Sequence, residues 1–281
     1  PGGDMIRRRS VLIPSLFCLA LLLKPAPGAA GPIFLTGHDP DFHAQGSVGA
    51  QNLLRTGLQF VTGNTYNSGM KFLWVESFLS PTSGHLVGEN GLNALGLTLG
   101  VEYDWVDAAG FATANLSNYD AIAVASSFGG MLTQAELDAL IARSGDIEDF
   151  VNAGRGVLAL SECFPASSFC LADTLGPSPD LFGFLPVTVS SVGTLQGYTV
   201  TPFGAGLGLT NGDVNDPTHN SFGVIAGLNI VDTDSQGTST TLAGVVTIDN
   251  GEFTPVPEPT SMFLLGSGLV GLAARYRRKR S

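Results

Sequence analysis

Apolar and polar positions divide the chain into two short apolar ends and a long patterned middle. Val11–Leu23 is a thirteen-residue apolar run near the start, and Ser261–Ala274 is a fourteen-residue run without charge near the end. Between them, short continuous apolar segments alternate with segments of helical spacing. Ile33–Thr36 predicts a buried first strand, followed by the polar loop Gly37-His38-Asp39-Pro40-Asp41-Phe42-His43. Ala44–Val61 carries Val48, Leu53, Leu54, Leu58 and Val61 at near-helical spacing, and Gly63-Asn64 stops it. Lys71–Glu76 predicts the next strand, Asn90–Leu99 a helix with Leu92, Leu95 and Leu99 on one face, and Glu102–Val106 a further strand. Ala121–Ala125 has the unbroken apolar character of a sheet centre.

A longer helix follows. Thr133 with Glu136 three residues on forms a capping box, apolar positions run through Leu137, Leu140, Ile141, Ile147, Phe150 and Val151, and Gly154 ends the run. Gly156–Leu160 is then a buried strand leading into Ser161-Glu162-Cys163. This alternation predicts right-handed βαβ units and a parallel sheet, hence an α/β fold. After about Gly176 the pattern changes to alternating segments, Leu185–Ser190, Leu195–Val200 and Thr241–Ile248, separated by Gly, Asn and Asp; these predict added β-hairpins.

Charge sharpens the division. Four of the 13 Lys and Arg precede residue 25 and five lie in the last seven residues. Only Arg55, Lys71, Arg143 and Arg155 remain in the middle, against 22 Asp and Glu, a net charge near −18. Phosphate contacts need clustered cations, so this body is not expected to bind nucleic acid; its charge favours solubility and could attract divalent cations. At the start, Arg7–Arg9, the apolar run and Lys24-Pro25-Ala26-Pro27-Gly28-Ala29-Ala30 have the three parts of a secretory signal peptide. Met5 is then the expected initiator, with Pro1–Asp4 outside fold reasoning, residues 5–30 the signal and cleavage between Gly28 and Gly31. The expected partners are the Sec translocon and signal peptidase. With arginines at both ends, both ends are expected in the cytoplasm and the middle outside.

At the other end, Val256-Pro257-Glu258-Pro259-Thr260 is a proline-stiffened stretch that precedes the apolar run. Arg275, Arg277, Arg278, Lys279 and Arg280 close the chain. Fourteen helical residues span about 21 Å, short of a ~30 Å hydrocarbon core, so a helix over 261–276 is a marginal anchor, helped by Tyr276 and snorkelling arginines. The tail resembles the PEP-CTERM sorting signal of Gram-negative bacteria. The resemblance implies an exosortase that removes the helix and releases or transfers the body beyond the inner membrane, to the cell surface or extracellular matrix. The expected partition is signal peptide 5–30, exported α/β domain 31–254 and sorting signal 255–281.

A second resemblance concerns residues 33–162. The first strand with its Gly37–Ala44 loop, Tyr119–Val124 before the long helix, and Gly154–Leu160 after it are similar to class I glutamine-amidotransferase-like domains. That resemblance implies a flavodoxin-like sandwich in which the strand after the long helix ends in a Gly-x-Cys-x-Gly elbow. Here the elbow falls on Ala159-Leu160-Ser161-Glu162-Cys163: both glycines are replaced, Ser161 stands in the nucleophile slot and a cysteine comes two residues late.

Strand-end loops of α/β sheets carry ligands, so His38, Asp39, Asp41 and His43 are expected to share a crevice with Ser161, Glu162 and Cys163. The first four could bind a divalent cation such as Zn or Mn; alternatively Asp39-Pro40 starts a turn and Asp41 caps the next helix. Ser161 or Cys163 with His219 and an acid would make a hydrolase-like triad, against the reading of His219 as a loop histidine. Asn211–Asp216 and Asp232–Ser235 are acid-rich turns that either bind Ca²⁺ or are simply solvated. Cys163 and Cys170 lie in an oxidising compartment and are expected to pair. Together these readings favour a non-catalytic binding or structural module at the cell surface, in contact with exopolysaccharide or matrix. The alternative is a secreted hydrolase.

Overall fold

The computed structural model describes residues 29–63, 69–78, 87–162, 181–216 and 218–256. The expected signal peptide up to Gly28, the Cys163–Cys170 pairing and the tail beyond Val256 lie outside these described residues. A mixed α/β body is built on one sheet. In chain order its parallel strands are β1 (Gly31–Thr36), β2 (Phe72–Val75), β3 (Tyr103–Val106), β4 (Ala121–Val124) and β5 (Gly156–Leu160). The later strands are β6 (Val189–Leu195), β7 (Thr199–Val200), β8 (Thr218–Phe222), β9 (Asn229–Thr233), β10 (Ser239–Asp249) and β11 (Glu252–Pro255). The order is β3-β2-β4-β5-β1-β10-β8-β6, with β9 and β11 also on β10 and β7 on β9.

The parallel strands read as unbroken apolar runs because both faces are covered. Alternate side chains serve two cores. Ile33, Leu35, Leu73, Val75, Ile122, Val124, Val157 and Ala159 face one; Phe34, Phe72, Trp74, Ala121, Ala123, Leu158 and Leu160 face the other. Helices α2 (Val48–Thr62) and α3 (Glu89–Ala94) cover the second face through Leu53, Leu54, Leu58 and Leu92. Helices α4 (Ala108–Thr113), α5 (Gln134–Ala142) and α6 (Ser144–Asn152) cover the first through Phe111, Leu137, Leu140, Ile147 and Phe150. Two glycines set the approach of α2. A Cβ on Gly57 would meet Leu158 Cδ1 at 3.0 Å, and one on Gly156 would lie 2.1 Å from the Val61 carbonyl oxygen.

Several expectations need correction. A one-turn helix α1 (Pro40–His43) precedes α2, and the side chain that caps α2 is Ser47, which accepts from Ala50 N; Asp41 is inside α1. The Thr133–Glu136 capping box forms, but the helix behind it breaks at Arg143 (φ −110°, ψ 20°). There the guanidinium donates to the Phe111 and Ala114 carbonyls and to Asp146, so α5 ends where Arg143 ties it to α4.

The flavodoxin-like order 2-1-3-4-5 also does not hold. β1 stands outside β5, with β10 antiparallel on its other edge from Gly31↔Val246 to Thr36↔Thr241. Only β2 to β5 keep the flavodoxin sequence of neighbours, and the chain's first strand takes the fifth place. Partner choice is the physical reason: β10, from the last fifth of the chain, supplies β1 with a second long edge that no local pattern announces.

Candidate functional site

Parallel strands deliver their carboxyl ends, and the loops after them, to one rim of the sheet. At β2/β4 the connections part to opposite faces, β2 toward α3 and β4 toward α5, which is the position where open α/β sheets hold ligands. Five acidic side chains and a histidine are buried along this rim: His38, Asp39, Asp41, Glu76, Glu162 and, from β9, Asp232.

Glu76 follows β2. Its Oε1 accepts from Gly88 N (2.5 Å) and Met131 N (3.0 Å), and its Oε2 from Trp74 Nε1 (2.7 Å) and Glu89 N (3.1 Å). Burial pushes its carboxyl up to about 7, against the pull of those donors and with a further push from Asp41. Asp41 Oδ2 accepts from Ser126 N (2.8 Å) and both its oxygens lie 3.0 Å from Ser126 Oγ, which in turn accepts from Gly129 N and Gly130 N. The glycines are required by contact: a Cβ on Gly129 or Gly130 would come within 2.6 or 2.7 Å of an Asp41 oxygen. Burial raises Asp41 to about 6.

Glu162 follows β5 and accepts on Oε2 from Thr218 Oγ1 (2.7 Å) and His219 N (3.1 Å). Burial raises its carboxyl to about 7. Asp39 is lifted well above the carboxylate range, first by burial and then by the charges of Glu162, Asp41 and Asp216; His43 Nε2 stands 3.4 Å from its Oδ2. His38 lies between the Asp216 carbonyl (Nδ1, 3.0 Å) and Asp232 Oδ2 (Nε2, 3.1 Å), edge-on to the Tyr198 ring. Burial pulls its pKa down, but Asp232 and Glu162 outweigh this and raise it.

His38, Asp39, Asp41, Glu162 and His219 are therefore gathered at one rim. His219 Nε2 stands 3.8 Å from Glu162 Oε1, its side chain is 18% exposed and burial lowers its pKa. Both ring nitrogens of His38 are committed to oxygen acceptors. Among the described residues no three His, Cys, Asp or Glu side chains are grouped so as to hold a metal ion. Ser161 is 1% exposed; its N (2.9 Å) and Oγ (3.2 Å) both donate to the Thr36 carbonyl, extending the β5–β1 ladder. Cys163 lies outside the described residues.

The acid-rich turns use their carboxylates within the protein: Asn52 of α2 donates to Asp213 Oδ1, and Asp232 pairs with His38. Asp213 Oδ2 accepts from Thr210 N and Oγ1, and Asp234 Oδ1 from Gln236 N and Thr238 N. Sequence reasoning missed Glu76, Ser126, Thr218 and Tyr198, and it placed Asp232 in a Ca²⁺-binding or solvated turn where the structure pairs it with His38. Glu76 ends one predicted strand and Ser126 directly follows another, so both could have been found by the strand-end rule; the others arrive from the late hairpins.

A family model matches the tail: residues 255–279 fit the PEP-CTERM protein-sorting motif. No curated protein and no solved structure matches the chain. An α/β body in front of such a motif belongs to the class of exported, cell-surface-associated proteins. The motif, which begins where β11 ends, implies an exported protein sorted by an exosortase. Neither the strand order nor any comparison supports an amidotransferase-like body.

Proposed function

We propose that the body is a non-catalytic binding or structural module, displayed at the surface or in the extracellular matrix of a Gram-negative bacterium, in contact with matrix polymer such as exopolysaccharide. The observation that carries this reading is the use made of the rim's polar groups. Asp41 ties the loop after β1 to the loop after β4, Glu76 ties the loop after β2 to Gly88 and Met131, and Glu162 ties the loop after β5 to β8. Each carboxyl accepts from backbone, hydroxyl or indole donors, Glu162 through its Oε2, which stiffens the mouth of the sheet. The Ser161 hydroxyl, in the slot of a nucleophile, is bonded to a strand carbonyl.

A hydrolase is the second reading, favoured by one observation: the partly exposed His219 within 3.8 Å of Glu162. Screening the exported body against ester, amide and glycoside substrates, beside His219→Ala, separates the two. The module reading expects no turnover above background in either protein. Turnover that His219→Ala abolishes sinks it.

A further inference from the structure

The start and the end of the body meet on one rung. Gly31 of β1 pairs with Val246 of β10, and Val246 pairs with Pro255 of β11. Neighbouring strands lie about 4.8 Å apart, so Gly31 and Pro255 are within about 10 Å of each other. Beyond Pro255 only Val256–Thr260 separate the sheet from Ser261, where the apolar tail begins. Six residue steps reach at most about 21 Å when fully extended.

Nor can β11 run on in its own direction. Asn229 of β9 takes up the next stretch of β10, opposite Ala243, and a Cβ on Gly227 would lie 3.3 Å from Pro255 Cα. The chain must leave the sheet sideways at this rung. The surface beside the exit is apolar: Val245, paired with the half-buried Pro32, is 50% exposed, and Val256 is 38% exposed. The β10–β11 hairpin forms an adjacent tip at Asp249–Glu252. The other end of β10, Ser239, is seven residues from Val246, about 23 Å away, on the side of the buried acids.

We propose that the corner made by Pro32, Val245, Val256 and the β10–β11 hairpin is a membrane-facing surface. While the tail is attached, this corner rests on the outer face of the inner bilayer, and the rim bearing Asp41, Glu76 and Glu162 points away from it. The inference rests on the tail being a membrane-inserted sorting signal. The short tether holds the corner at the interface and the exposed valines suit that zone; Asp249 and Glu252 at the hairpin tip are the acids on this side, and the rest of the acidic body is repelled by anionic headgroups.

The test uses the full chain in vesicles of phosphatidylethanolamine and phosphatidylglycerol, with a photo-crosslinking residue at Glu252 or at Gln236, both exposed. Lipid adducts are expected several-fold more often at position 252. A long glycine–serine insertion between Val256 and Pro257 should erase most of that difference. Equal labelling, or more at 236, in protein that still resists alkaline carbonate extraction overturns the orientation and leaves the sorting reading standing. Protein–protein adducts in place of lipid at 252 overturn it in favour of a second copy or another protein. Release by carbonate overturns the sorting reading and this inference with it.

Discussion

His38 and Asp232 stand 194 residues apart in sequence and meet at 3.1 Å with neither side chain reaching solvent. The other ring nitrogen faces the Asp216 carbonyl, which can only accept, so Nδ1 carries a hydrogen. Nε2 faces Asp232 Oδ2, and this buried pair, in which the charge of Asp232 raises the His38 pKa against burial, joins the loop after β1 to β9. Asp232 Oδ2 also accepts from Thr240 Oγ1, whereas Oδ1 has no hydrogen-bond partner.

Asp232→Ala removes the partner of the buried His38 ring and favours its neutral form, since burial then acts on it with less opposition. Urea melts should show a loss of about 3–5 kcal/mol, the range for breaking one side of a buried pair. A double-mutant cycle with His38→Ala should give a coupling above ~1 kcal/mol; additive losses would mean that the two side chains do not depend on one another.

Stability should fall as pH rises from about 4.5 to about 7.5. Over this window the folded protein keeps protons on Asp39, Asp41, Glu76 and Glu162 that the unfolded chain has released. His38 acts with the same sign: its folded pKa is raised, so its contribution is full below the unfolded value of ~6.5 and is lost above the folded one. At about 1.4 kcal/mol for each pH unit over which one proton is held, the total is several kcal/mol. Asp104, lowered on balance because Lys71 and Tyr119 outweigh its burial, acts only below the usual carboxyl range. A higher denaturation midpoint at pH 7.5 than at 4.5 would contradict this account.

Glu76→Ala leaves Gly88 N, Glu89 N, Met131 N and Trp74 Nε1 without their acceptor, at a cost of about 3 kcal/mol or more. Glu76→Gln should recover only part of it, since its amide group would face N–H donors. Thermal melts of the two variants check the order.

Gly156→Ala sets a methyl against the Val61 carbonyl, a backbone atom at the end of α2 that cannot swing aside. The expected loss is about 2–3 kcal/mol. Gly57→Ala meets only the tips of Leu158 and Phe34 and gains helix propensity worth up to ~1 kcal/mol, so it should be near neutral. Equal losses at the two sites would show that α2 is not held by its C-terminal contact.

Pro257→Ala with Glu258→Ala should leave full-length protein in the inner membrane, detected by immunoblot of cell fractions against the processed form of the parent chain. Unchanged release would remove exosortase recognition as the sorting step.

The sequence announced the parallel strands because covered faces demand apolar side chains at every position, as in Phe72–Val75 and Ala121–Val124. Thr133 and Glu136 announced their cap for an equally local reason. Non-local facts were hidden. The place of β1 depends on β10, the break at Arg143 depends on carbonyls of another helix, and His38 finds its counter-ion on β9. Glu76 looked like the polar end of a strand until Gly88 and Met131 closed around it.

The seat of β1 between β5 and β10 also fixes when the body can finish folding. A chain threaded outward from its N-terminus presents Gly31–Thr36 first, yet one edge of that strand stays open until Thr241–Val246 has emerged. The five parallel strands can pair once Leu160 has appeared, so what waits for the last fifth of the chain is the second edge of β1, left open until β10 arrives. The last strand to arrive, β11, brings the sorting motif with it.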